Sequence, residues 1–210
     1  MGKTIQTTRI NSLIILLVAL ISGNCCFGQN ADINLLKDIN LHRNKSLDGS
    51  MTALTNSVYP IAAVIPITEL IAGYHRHDTA LICTGWSTIA GIGMNFIVTF
   101  GLKFAVDRPR PYATYPELQP YQHDKDPSFP SGHSSFAFNT ATSLVLNYPR
   151  WYVAVPAYGW AAAVAYSRMD LGMHYPTDVL AGSLIGAGTS ILAYKGNQWL
   201  HKRKTRHHVH

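Results

Sequence analysis

Residues 79–102 read TALICTGWSTIAGIGMNFIVTFGL, and 103–111 continue KFAVDRPRP. The first stretch holds no Asp, Glu, Lys or Arg. It is long enough to cross a bilayer core, which takes about 20 residues of helix. The second stretch turns at once to cations and prolines, so an apolar helix ends in stiff, charged chain. Four further runs share the apolar character: 57–74, 134–148, 151–167 and 177–194, rich in Ala, Leu, Ile and Gly. A helix of 17 residues is about 25 Å long, marginal to adequate for a bilayer. The run 134–148 is short and carries Ser, Asn and Thr, so it needs neighbours to shield it. Small residues four apart, Gly182 with Gly186 and Ala161 with Ala165, permit close helix contact. Tyr148, Trp151, Tyr152, Tyr194 and Trp199 sit at run ends, as an aromatic belt would. The pattern predicts an all-α helical bundle over 57–196, with five or six transmembrane helices.

The composition agrees. Of 210 residues, 47% are hydrophobic and 13% charged, against roughly 25% charged in a soluble domain. Disorder needs the opposite balance. Three cysteines, two of them adjacent (Cys25, Cys26), exclude a disulfide scaffold. The formal charge of +6 is not gathered on one module, so nucleic acid is not the expected partner. Residues 1–28 combine Lys3 and Arg9, an apolar core from Leu13 to Ile21 and a small, polar zone, as a signal peptide cut near Gly28 does. An uncleaved first membrane helix and a lipoprotein signal at Cys25 are the alternatives. Residues 29–56 have a weak helical period (Ile33, Leu36, Ile39, Leu41) and read as a surface-lying packing segment without chemistry.

Charge suggests an orientation. With the mature N-terminus outside, five crossings put 75–78, 149–150 and a basic tail, 197–210, in the cytoplasm, with Arg76, Arg150 and Lys195. The loop 103–130 and the turn 168–176 then face outside. An uncleaved first helix gives the same orientation with six crossings.

That outer face collects the chemistry. The loop 103–130 holds six of the eleven prolines and should be extended rather than helical. It opens KFAVDRPRPY and closes FPSGHSS; the later turn reads SRMDLGMHYPTD. Lys103, Arg110 and Arg168 are cations suited to phosphate oxygens. Ser131 and Gly132 stand at a helix start, where free amides bind anions. Asp178 follows His174 by four residues and can fix the ring's tautomer. A His–Asp pair, a second His (His133) and a cationic cradle are the parts of phosphoryl transfer through a phosphohistidine.

These three stretches resemble the type 2 phosphatidic acid phosphatase (PAP2) superfamily, marked by Lys-x6-Arg-Pro, Pro-Ser-Gly-His and Ser-Arg-x5-His-x3-Asp. Here they are Lys103 to Arg110-Pro111, Pro130-Ser131-Gly132-His133, and Ser167-Arg168 to His174 to Asp178. The resemblance implies a membrane lipid phosphatase. His174 would be the nucleophile, Asp178 its orienting acid, and His133 the proton donor to the leaving group. Lys103, Arg110, Ser131, the Gly132 amide and Arg168 would hold the phosphate. No metal or other cofactor is implied, and vanadate should inhibit. The expected substrate is a phosphorylated lipid: undecaprenyl pyrophosphate, phosphatidylglycerol phosphate, phosphatidate or lipid A. The expected location is a bacterial inner membrane, with the site facing the periplasm. Alternatives are a soluble exported acid phosphatase of the same superfamily, a vanadium haloperoxidase, or a non-catalytic lipid-binding protein.

Other residues read more plainly. Arg108 would pair with Asp107 or make a secondary contact, and Lys103 could pair with Asp107 at i, i+4. Glu69, an acid within an apolar run, reads as a structural partner in the bundle. His75 and His77 fall in an inner turn. His123 reads as solvated loop, and Tyr112, Tyr115 and Tyr121 as interface or substrate-entry residues.

Overall fold

The computed structural model describes residues 25–207. Its elements are α1 (Cys25–Leu41), a 3-10 turn (Lys45–Leu47), α2 (Asp48–Asn56), α3 (Val58–His75), α4 (Thr79–Val106), α5 (Pro111–Thr114), α6 (Gly132–Asn147), α7 (Trp151–Asp170) and α8 (Pro176–His207). No strand occurs among the described residues. The five apolar runs are α3, α4, α6, α7 and α8, each starting and ending within a few residues of the expectation except for the C-terminal end of α8. That helix continues through the basic tail to His207. The signal-peptide expectation falls mostly on residues 1–24, outside the described residues.

Local chemistry sets the boundaries. The Asp78 carboxylate caps α4 by accepting from the amides of Ala80 (2.9 Å) and Leu81 (3.1 Å). Asp107 ends α4 in the left-handed region, at φ 47°. The loop 103–130 is less extended than expected. α4 runs on through Lys103, because no breaker precedes Asp107. Pro111 starts the one-turn α5, since a proline at the first helical position gives up only an amide that would be unpaired anyway.

The helices alternate in direction, and α6 is the centre, packed against α4, α7 and α8. Gly182 and Gly186 bring α8 onto α6 as their spacing suggested. A Cβ at Gly182 would lie 2.4 Å from the Ser131 carbonyl oxygen, and one at Gly186 2.0 Å from that of Ser135. Val58, Phe136, Ala137, Ala141, Ala161 and Val164 form the apolar centre.

Around that centre the usual polarity is reversed. Asn95, Thr99, Ser135, Asn139 and Thr140 are buried, while Ile97, Phe104 and Leu184 are 71%, 76% and 66% exposed. Several of these groups bond across helices: Ser135 donates to Asn95 Oδ1 (2.5 Å), and Asn139 Nδ2 reaches the carbonyls of Gly91 and Gly186 (3.2 Å each), while Asn95 Nδ2, Asn139 Oδ1 and Thr140 Oγ1 have no hydrogen-bond partner. Polar contacts inside and bulky apolar residues outside are what a lipid solvent demands. Membrane-spanning helices are present: Lys45–His75 and Thr79–Thr114 are long and apolar enough to cross a bilayer. At 16 residues, α6 is shorter than a full span.

α1 lies across the end of the bundle where α3, α6 and α8 begin and α4 and α7 end. Ile33 and Leu36 pack on Leu118 and Tyr175. The Asn40 side chain donates to Asp170 O (2.8 Å) and accepts from the Gln119 amide (2.8 Å), tying α7 to the proline-rich loop.

Candidate active site

The three expected phosphate-binding cations converge at this end. Lys103 comes from the last turn of α4, Arg110 from the loop after it and Arg168 from the last turn of α7; all three are buried. Their partners are two carboxylates of one loop. Asp126 takes Lys103 Nζ (2.8 Å) and Arg110 Nη2 (2.6 Å). Asp124 lies 3.3 Å from Arg110 and 3.8 Å from Arg168. Lys103 therefore pairs with Asp126 rather than Asp107. Burial pushes the Asp126 carboxyl up, but Lys103 and Arg110 outweigh it and hold it at about 2. Arg168 gives Nη1 to Thr55 Oγ1 (3.3 Å), yet its Nε and Nη2 have no hydrogen-bond partner. Two unsatisfied guanidinium nitrogens in a buried cationic cluster form a seat for an anion.

His174 faces that cluster. It lies in the turn between α7 and α8, which Gly172 makes possible at φ 68°. The ring is 2% exposed. Its Nε2 lies 3.4 Å from Arg110 Nη1. A guanidinium can only donate, so Nε2 carries the lone pair and Nδ1 the proton. Nδ1 sits 3.7 Å from Asp178 Oδ2, longer than a hydrogen bond. Ser128 fills the gap: its Oγ is 3.4 Å from Nδ1 and donates to Asp178 Oδ2 at 2.5 Å. The orienting contact that the i, i+4 spacing suggested thus runs through a hydroxyl from the proline-rich loop. Burial pushes the His174 pKa down; Asp178 pulls it up, and Arg168 and Arg110 push it down again, to about 3. The ring is neutral at neutral pH.

The Pro-Ser-Gly-His stretch starts α6 beside it. The buried Ser131 hydroxyl caps the helix, accepting from the Ser134 amide (3.4 Å) and meeting Ser134 Oγ (2.9 Å). Its own amide donates to Asp178 O (3.0 Å), which joins the starts of α6 and α8. Gly132 is buried in the first turn. The His133 ring meets Tyr59 edge-on, with centroids 5.0 Å apart, and interacts electrostatically with Arg168, His174, Arg110 and Lys103.

Several contributors were not legible beforehand. Ser128 carries no motif. Asp124 and Asp126 read as charge balance in a loop, not as partners of the cradle. Arg108 pairs not with Asp107 but with Asp178 Oδ1 (2.6 Å) and Asp32 Oδ2 (2.9 Å). Asp32 belongs to the segment read as packing alone. Tyr112 anchors the acidic loop, its hydroxyl donating to Asp124 O (3.0 Å) and accepting from the Asp124 amide (2.9 Å). His123 packs edge-on against the same ring. Glu69 lies away from the site, accepting from Thr88 Oγ1 (3.0 Å) and Tyr148 Oη (3.3 Å), as a structural partner should.

A lipid-adapted helical bundle with a cationic, histidine-bearing site at one end defines a class of membrane enzymes acting on phosphate. The model of the PAP2 superfamily matches residues 84–202, and the chain belongs to that superfamily. It is 29% identical over 187 residues to an undecaprenyl-diphosphatase of Sulfolobus acidocaldarius, covering 84% of this chain and 82% of that one. It is 36% identical over 163 residues to a lipid A 1-phosphatase of Rhizobium johnstonii, covering 70% and 66%. Among solved structures, it resembles the transmembrane PAP2-type phosphatidylglycerolphosphate phosphatase of Bacillus subtilis. The TM-score is 0.69 at 26% identity, over 89% of this chain and 94% of that one.

Proposed function

We propose that this protein hydrolyses the phosphate monoester or diphosphate of a membrane lipid through a phosphohistidine on His174. The observation that carries the proposal is the His174 ring: its unprotonated Nε2 is directed at Arg110, and its Nδ1 at the Ser128–Asp178 pair. In the first step the Nε2 lone pair forms a bond to phosphorus. The bond from phosphorus to the leaving oxygen breaks, and that oxygen takes a proton from His133, which holds one once the entering phosphate has offset the surrounding cations. The ring becomes cationic, stabilised by Asp178 through Nδ1–H and Ser128. Lys103, Arg110, Arg168 and the Gly132 amide hold the phosphoryl oxygens as charge builds on them. In the second step neutral His133 takes a proton from water, whose oxygen attacks phosphorus. The N–P bond breaks, and phosphate leaves with the ring restored.

For phosphate to enter, Asp124 and Asp126 must give up the cations they hold. The substrate is a lipid because the relatives act on lipids and because the outer surface is apolar. The remaining crossings would be α6, α7 and α8, five in all, with the site at the periplasmic face of a bacterial inner membrane.

A phosphate-release panel tests this reading, with undecaprenyl pyrophosphate, phosphatidylglycerol phosphate, phosphatidate and lipid A beside soluble esters. Release from at least one lipid, inhibited by vanadate and abolished in His174→Ala, is expected. Unchanged release in His174→Ala would overturn it. Extraction of the protein by a carbonate wash would overturn the membrane assignment.

A further inference from the structure

The Asp178 carboxylate, proposed to orient His174, is itself held by Arg108, which stands at an unspecified position within the first motif. Arg108 gives Nη1 to Asp178 Oδ1 (2.6 Å) and to Thr177 Oγ1 (2.8 Å), and Nη2 to Asp32 Oδ2 (2.9 Å). Its guanidinium lies over the Tyr175 ring, 3.7 Å from the centroid. Asp32, 6% exposed, is in turn held by the Thr177 amide (2.9 Å) and hydroxyl (2.6 Å). With the Tyr175 amide donating to Oδ2 (3.1 Å) and Ser128 beside it, both oxygens of Asp178 are fixed. Oδ1 is committed to Arg108, which leaves Oδ2 for the Ser128–His174 side. Resting on the phosphohistidine reading above, we infer that Asp32 and Arg108 form a clamp that positions Asp178, so that α1 supplies a positioning residue to the active site.

The charges support this assignment. Two carboxylates and one guanidinium leave the clamp with a net charge of −1, beside a ring that gains one positive charge when it is phosphorylated. A fork with two donating nitrogens is needed to bridge the two acids, and an ammonium is a single point. Neither Arg108 nor Asp32 contacts the cationic cradle, so losing either should alter turnover rather than phosphate binding.

The test uses the full-length protein in detergent with a short-chain phosphatidate, rates being normalised to folded protein. Asp32→Asn is expected to lower kcat about tenfold and Arg108→Ala about a hundredfold, each with KM unchanged within about twofold, in the range that disturbed positioning of reacting groups produces. Arg108→Lys should behave like Arg108→Ala. The double variant should be no slower than Arg108→Ala alone, because both changes break one unit. If Asp32→Asn lowers the melting temperature and leaves kcat intact, Asp32 has only a structural role; if the two losses multiply, the residues do not act as one unit; either result overturns the inference. His174→Ala, run alongside, separates the two readings: if it still turns over, the phosphohistidine reading fails, whatever the clamp variants do.

Discussion

Arg108 and Arg110 stand two positions apart in one RPRP stretch and have contrasting neighbours. Arg108 is bound to Asp178 and Asp32, both buried on helices α8 and α1. Arg110 is bound to Asp124 and Asp126 on a loop, and the Asp126 side chain is 47% exposed. The first pair of acids belongs to the rigid frame; the second can leave. Proline at 109 and 111 favours the polyproline II conformation that Arg110 adopts (φ −69°, ψ 153°), whose three residues per turn point residues two apart in different directions. A guanidinium that keeps its partners is a brace. One whose partners can withdraw suits the anion-binding role proposed for Arg110.

That contrast can be broken in order of expected effect. Arg110→Ala should cost the most, lowering kcat/KM about 100- to 1,000-fold, the scale for losing one donor to a developing oxyanion. Steady-state phosphate release measures this, and a loss smaller than that of Arg108→Ala would reverse the assignment of the two arginines. Ser128→Ala should lower kcat about tenfold with little change in KM, since it removes the hydroxyl between His174 and Asp178 but leaves the cradle whole. Asp126→Asn should act in the opposite sense, lowering KM or the vanadate inhibition constant a few-fold, roughly 1 kcal/mol of competition removed from two buried cations. If vanadate binds more weakly to that variant, the loop is part of the binding site and not a competitor for it.

Acidity should leave the loop in place. The Asp126 carboxyl is depressed from 3.8 to about 2. Its contribution to closure is therefore complete above its ordinary value and fades only as pH falls toward the depressed one. His174, also depressed, should add no protonation step to kcat/KM above about pH 4. A pH profile of the wild type with a vanadate titration at each point checks both statements. An acid limb of kcat/KM near the ordinary histidine value would contradict the second.

The helices and the three motifs were legible because each rests on a local signal. Apolar runs have a length, Ser131 after Pro130 marks a helix start, and Gly182 with Gly186 marks a close approach. The pairing of the arginines was not legible, since it depends on which acids arrive from elsewhere. Asp32 is 146 positions from Asp178, and nothing within Asn30–Leu36 distinguishes it from Asp38, which stays exposed. Ser128 was hidden for a related reason: a hydroxyl matters here only because the His174–Asp178 separation leaves room for one. The spacing of those two residues could not reveal that their contact would be 3.7 Å. The reversed polarity of the bundle was half visible. Exposed Ile and Phe follow from the apolar runs, but the shared network of Asn95, Ser135 and Asn139 needed the helices assembled.

The contact between α6 and α8 has a mechanical consequence. At Gly182 and Gly186 the main chains of the two helices come into direct contact, and the Asn139 side chain bonds across to the Gly186 carbonyl. The proposed proton donor, His133, rides on the first turn of one helix, and the proposed nucleophile, His174, sits two residues ahead of the other. A bilayer that thickens or thins and tilts either rod must carry its companion with it, so the spacing between the two imidazoles is insulated from the lipid around them.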